Sequence, residues 1–149
     1  MSHATLSPQE LAQAVRTHML AQDRASLGLG MEVVAIAPGS AAVQMRVRAD
    51  MLNGFGICHG GFITTLADSA FAFACNSRNV LTVAQGLSVD FVAPAREGDV
   101  LLAQAQEQHL AGRTGVYDVR VTRADGSLVA VMRGKSYALK GKCVLPELG

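Results

Sequence analysis

The sequence has no tryptophan, and aromatic residues make up only 5% of its 149 positions. Half of the chain is nonetheless hydrophobic, so its core must be built largely from Ala, Val, Leu and Met. That is ample for a packed interior and incompatible with a disordered chain. Charge is scarce as well, at 17%, below the usual share of a soluble domain. A domain this small has much surface to cover, so the shortage points to burial of part of that surface against another copy. Thirteen Lys and Arg against twelve Asp and Glu leave no basic excess of the kind a nucleic-acid binder carries. No apolar run is long enough for a membrane-spanning helix. The opening MSHATLSPQE shows neither the charged nor the apolar region of a secretory leader, so a cytoplasmic protein is expected. Cys58, Cys75 and Cys143 are odd in number, far apart and free of any CxxC spacing. This excludes a disulfide framework and a zinc ribbon. With no linker, repeat or low-complexity stretch, residues 1–149 read as one domain.

What is present begins with Ser7-Pro8-Gln9-Glu10, a cap, a first-turn proline and a capping-box glutamate in order. A short N-terminal helix with Leu11, Val15, His18 and Met19 on one stripe should follow, ending by Gly28 and Gly30. Strands are expected over 31–37 and 41–47 around Pro38-Gly39-Ser40. After a Gly-rich loop at 53–59, residues 60–76 are apolar around most of a helical circumference, which predicts a long buried helix. Further strands over 80–92, 100–110, 115–123 and 128–139 are separated by turns too short for parallel crossovers. The fold class is therefore α+β, with a curved antiparallel sheet of about six strands wrapped around a long central helix.

Between Met51 and Ser77 the only charged side chain is Asp68, in the middle of that helix. Gly61, Thr64, Thr65, Asp68 and Ala72 form one narrow stripe of small or polar residues. An ionised carboxylate buried without a partner is costly, so the stripe must face water, a ligand or another subunit. One reading makes Asp68 a catalytic base or nucleophile in a partly dry cleft. The competing reading has it satisfied by Thr64, Ser69 or a backbone amide. His59-Gly60-Gly61 opens the helix, where the first amides lack internal acceptors and the macrodipole is positive. Glycines there let a carbonyl approach the backbone, an oxyanion hole in outline with Gly60 N–H as donor and the Asn53 amide nearby. His59 either takes part in the chemistry or orients the loop through the backbone.

Asn53, His59-Gly60-Gly61 and Leu66-Ala67-Asp68-Ser69 together resemble the hotdog-fold acyl-CoA thioesterases, and CHGGFITTLADSAFAFACNSR resembles the phenylacetate-degradation branch. The similarity continues through Gly86–Phe91, Pro94-Ala95, Gly98-Asp99 and Gly112–Asp118. It implies a hotdog fold, a homodimer with a continuous sheet and a homotetramer built from two dimers. It also implies hydrolysis of acyl-CoA, with phenylacetyl or hydroxyphenylacetyl thioesters favoured. Asp68 would act on water or on the thioester, Gly60 would bind the oxyanion, and Asn53 would place the carbonyl or the water. Gly61, Ser88 and Pro94 would contact substrate. No metal and no cofactor beyond the substrate's own coenzyme A are implied.

Coenzyme A phosphates need cations. Seven basic residues against Asp118 and Asp125 lie between Arg113 and Lys142. Arg113 and Thr114, in a Gly-flanked turn that also exposes amides, are the preferred phosphate site, with Lys135 beyond them. Leu52, Phe55, Ile57 and Phe62 are expected to line the acyl pocket. Two alternatives remain: a dehydratase of the same architecture, using His59 with Asp68, and a non-enzymatic acyl-CoA-binding subunit.

Overall fold

In the computed structural model, which describes residues 5–149, the N-terminal capping signal forms as its residues dictate. Ser7 Oγ accepts from Glu10 N at 3.1 Å and Glu10 Oε1 accepts from Ser7 N at 3.2 Å, opening α1 (Pro8–Gln22). A second helix, α2 (Arg24–Gly28), was not expected. Asp23 breaks the first helix and caps the second, its carboxylate accepting from Ser26 N at 2.9 Å and Ser26 Oγ at 2.6 Å.

The antiparallel hairpin of β1 (Glu32–Ala37) and β2 (Ser40–Arg46) follows, its turn closed by Gly39 at φ 80°. After a 3-10 turn (Ala49–Met51) and the Gly-rich loop come α3 (Gly60–Asn76), β3 (Val80–Phe91), β4 (Val100–Ala111), β5 (Thr114–Thr122) and β6 (Leu128–Cys143). All pairings are antiparallel, in the order β1-β2-β4-β5-β6-β3. The sheet curls around α3, which touches every strand. Leu66, Ala67, Ala70, Phe71, Phe73 and Ala74 bury the helix against Val43, Met45, Leu101, Val119, Val121 and Met132. Gly134 in β6 is glycine for a packing reason: a Cβ there would sit 2.9 Å from the Phe71 ring. That ring rests edge-on against Tyr117, centroids 5.4 Å apart.

The two sheet edges differ. At β1, Arg16 Nη2 donates to Val33 O and Gln9 Nε2 to Ile36 O, both at 2.7 Å, so α1 occupies the edge, and a bulge falls between Val33 and Ala35. At β3 no element among the described residues covers the edge, and Val83, Leu87 and Phe91 are exposed. β6 runs past the expected end at Leu139 because its pairing with β3 slips between Thr82↔Ala138 and Val80↔Cys143. Gly141, at φ 70°, turns in that bulge. Asn79, buried at φ 68°, then ties down the C-terminal segment: its Nδ2 donates to Leu145 O at 3.0 Å and its Oδ1 accepts from Leu145 N at 2.7 Å.

Candidate active site

The loop before α3 is organised by Asn53. Its Oδ1 accepts from Phe55 N (2.9 Å) and Ile57 N (3.3 Å), its N donates to Ile57 O, and its O accepts from Gly56 N. The side-chain amide nitrogen finds no acceptor among the described residues, so it stays available as a donor. Cys58 N donates to Ala95 O at 2.7 Å, which lays Pro94-Ala95 alongside the loop. His59 is the N-cap of α3: its Nδ1 accepts from Gly61 N at 3.1 Å. Accepting at Nδ1 leaves the proton of the neutral ring on Nε2. It also commits the Gly61 amide to the cap, so that amide is not a free donor to substrate. Gly60 N–H, by contrast, has no acceptor among the described residues and stands at the positive end of the helix. The Phe91 ring covers its Cα so closely that a Cβ would lie 2.9 Å from it.

Asp68 is half-buried, and its carboxylate accepts no hydrogen bond from the described residues. The side chains that might have satisfied it are otherwise engaged. Thr64 and Thr65 donate back to Gly60 O and Gly61 O at 2.9 and 2.8 Å, and the Ser69 hydroxyl shares a 2.9 Å bond with that of Ser26. Thr64, Ser69 and the backbone amides of the described residues therefore do not satisfy Asp68. Burial pushes its pKa above the ordinary aspartate value, and the nearby charge of Asp23 adds to the effect.

Asp68 borders a cavity of about 340 Å³ between α3 and β3. Its walls were not foreseen, and Leu52, Phe55, Ile57 and Phe62 are not among them. Phe55 stands 90% exposed at the loop tip. Ala72 and Cys75, one and two turns beyond Asp68 on its own face, were legible from helical periodicity. Met19 and Val144 reach the cavity only through tertiary packing. Neither thiol near the site is a nucleophile candidate, since burial pushes Cys58 up and Cys75 up to about 12.

The remaining expected site residues lie elsewhere in the same chain. Val89 packs on the core, so its neighbour Ser88 points to the opposite sheet face, into an outer groove with Gln104, Asp118 and Arg133. Ser88 therefore cannot assist Asp68 within one chain. Lys135 is exposed on β6 beside Arg133, which forms a bidentate pair with Asp118 at 2.7 and 2.9 Å. Arg113 sits in the β4–β5 turn and Thr114 opens β5, with Arg113 Nη1 donating to Tyr137 Oη at 3.3 Å. Tyr137 pairs with Val83, whereas Phe91 over Gly60 marks the other end of β3, about 27 Å away at strand rise. Gly60 and Asp68 are also separated, by eight residues of one helix or about 12 Å. One chain thus groups Asn53, His59, Gly60 and Pro94 at one end, with Asp68 mid-helix and the cationic turn at the other.

A model of the thioesterase superfamily matches residues 55–130. The acyl-coenzyme A thioesterase PaaI of Escherichia coli K12 is 42% identical over 123 residues, covering 83% of this chain and 88% of that one. The solved structure of E. coli PaaI, from the phenylacetic acid degradation operon, superposes with a TM-score of 0.89 at 40% identity, covering 91% of this chain and 99% of that one. A mutant of the phenylacetic acid degradation protein PaaI of Thermus thermophilus gives 0.76 at 42% identity, over 78% of this chain and 100% of that one.

Proposed function

The chain belongs to the thioesterase superfamily, has its hotdog fold, and on that premise we propose that it hydrolyses acyl-CoA thioesters, aryl-acetyl ones among them. The observation that carries the reading is the pair of groups left unused among the described residues: a half-buried carboxylate without a donor at Asp68 and a helix-end amide without an acceptor at Gly60. Thioester hydrolysis needs both. As a base, Asp68 takes a proton from water as the oxygen bonds to the thioester carbon. Gly60 N–H holds the resulting oxyanion, and on collapse the C–S bond breaks and the thiolate leaves as the proton returns to it. As a nucleophile, Asp68 attacks the carbon itself, the C–S bond breaks and the thiolate leaves; water then hydrolyses the mixed anhydride, which frees the acid, restores the Asp68 carboxylate and supplies the proton for the thiol. The free amide of Asn53 places the carbonyl or the water. A dehydratase reading is less well supported, because His59 spends Nδ1 on the helix cap.

Two groups about 12 Å apart along one helix cannot meet on one carbonyl, so we take the site to be shared between two copies. The bare β3 edge supports this assembly, being long and apolar and offering unpaired backbone groups, whereas β1 is blocked by α1. Two-fold pairing sets β3 antiparallel to its copy and lays the Val83 end of one beside the Phe91 end of the other. The Arg113–Thr114 turn of one chain then approaches the oxyanion loop of the other, where coenzyme A phosphates would extend. A homotetramer of two such dimers is the assembly proposed. Following thiol release from a panel of acyl-CoA thioesters tests the activity. Asp68→Asn, which keeps shape and removes the base, should lower turnover on the order of 10²–10⁴ with binding largely kept. Turnover within a few fold of the unmodified protein would overturn the assignment.

A further inference from the structure

Along α3 the residues bordering the cavity are Asp68, Phe71, Ala72, Cys75 and Asn76, one helical face beginning at the carboxylate. The cavity therefore runs from Asp68 away from Gly60, for about 12 Å toward the C-terminal end of the helix. Leu81–Ala84 of β3 form the facing wall, and Met19 of α1 and Val144 of the C-terminal segment complete it. The polar wall residues other than Asp68 are already satisfied. Asn76 Nδ2 donates to Thr82 O (3.0 Å), Thr82 N donates to Asn76 Oδ1 (2.9 Å), and Thr82 Oγ1 donates to Val80 O (2.8 Å). An occupant thus meets mainly apolar surface and one unpaired carboxylate at the end.

We propose that this cavity receives the acyl group of the thioester and that Ala72, Cys75 and Met19 decide which acyl groups fit. The inference rests on Asp68 being the reacting carboxylate, as proposed above. An apolar cavity with a single free polar group at its end suits a ligand that is apolar except at its reacting carbon. A cavity of roughly 150 Å³ is enough to hold benzene, so about 340 Å³ accommodates an aromatic ring with its methylene arm or an alkyl chain of medium length. Ala72, one turn beyond the carboxylate, is small where the acyl group must pass. Cys75 forms wall one turn deeper, its protonated thiol acting as apolar surface. Phe71 is fixed by its contacts with Tyr117 and Gly134 and acts as a rigid side.

Two variants test the assignment from opposite directions. Cys75→Leu fills the cavity and should lower the ratio of kcat/KM for phenylacetyl-CoA to that for acetyl-CoA by about tenfold or more. Met19→Ala enlarges it and should raise kcat/KM for decanoyl-CoA relative to phenylacetyl-CoA by about tenfold. Met19→Ala carries the test by itself should Cys75→Leu fail to fold. An unchanged acyl preference in folded variants of an active enzyme overturns the inference. Calorimetric titration with phenylacetate supplies a readout independent of turnover. Phenylacetate binding that Cys75→Leu abolishes, or that Met19→Ala weakens, in a protein inert toward every thioester upholds the cavity and overturns the hydrolytic reading. Absence of both binding and turnover overturns the two together.

Discussion

A carboxylate that finds no donor among the described residues is a charge the fold must tolerate. Burial and the neighbouring Asp23 raise the pKa of Asp68, so ionising it costs more in the folded state than in the unfolded one. The sign follows from linkage. The proton-bound form contributes stability that is fully present below the ordinary aspartate pKa and is lost as pH rises through the raised value. Above the ordinary aspartate pKa the native chain therefore carries a penalty that a neutral side chain would not. Asp68→Asn should therefore melt at a higher temperature than the unmodified protein at pH 7, and the difference should vanish in acid, where Asp68 is protonated in both states. Thermal melts across a pH series check this, and a lower melting temperature at pH 7 contradicts it. The same variant is the one expected to lose turnover, so stability and activity move in opposite directions at a single side chain.

Among the elements, the segment after β6 depends on one residue. Asn79 supplies both hydrogen bonds to Leu145 and adopts a left-handed conformation that other side chains resist. Asn79→Gly keeps the backbone geometry and leaves the Leu145 groups without partners, for a loss of about 1–3 kcal/mol. Asn79→Ala adds the left-handed penalty and should be the worse of the two by up to ~1 kcal/mol. Denaturant unfolding of both variants decides the order, and an Ala variant at least as stable as the Gly variant removes the conformational argument. The boundaries of α3, β2 and β5 were legible within a residue or so because periodicity and turn signals agree there. The small-residue stripe on α3 was legible for the same reason: Gly61, Thr64, Thr65, Asp68 and Ala72 are all outside the fully buried set. The break at Asp23 was hidden, since a residue that ends one helix and caps the next looks like neither in a continuous apolar pattern. The extension of β6 was hidden by Gly141, which reads as a stop but sits in a bulge. The face of Ser88 turns on β3 register, fixed by pairing with β6 far along the chain, and the acyl-side walls Met19 and Val144 come from the two ends of the sequence. Local pattern carries no trace of such contacts.

At the scale of the whole molecule, the shared site predicts a specific rescue. Subunits carrying Asp68→Asn are mixed with subunits carrying Gly60→Pro, which deletes the oxyanion amide. Proline is acceptable at this first helical position, and His59 before it, at ψ 133°, is extended as a pre-proline residue should be. The added carbons meet only the far end of the Phe91 side chain, which must shift to admit them. In a mixed dimer one site carries both defects and the other neither. Random pairing makes half the dimers mixed, so activity should recover to roughly a quarter of the unmodified level. A mixture that stays inactive although mixed dimers form places Asp68 and Gly60 in one site within one chain. The strand order has a further consequence, in time. β3 follows α3 directly in sequence, yet its only neighbour within the described chain is β6, the last strand to be made. Closing that pair spans much of the second half of the chain, a long-range contact of the kind that slows folding. During synthesis β3 must therefore wait beside a nearly complete sheet until β6 leaves the ribosome. Its outer edge, the contact proposed for dimerisation, is presented correctly only after that. Assembly of the proposed shared site would thus come late, after synthesis, and premature termination within β6 would leave both edges of β3 open to aggregation.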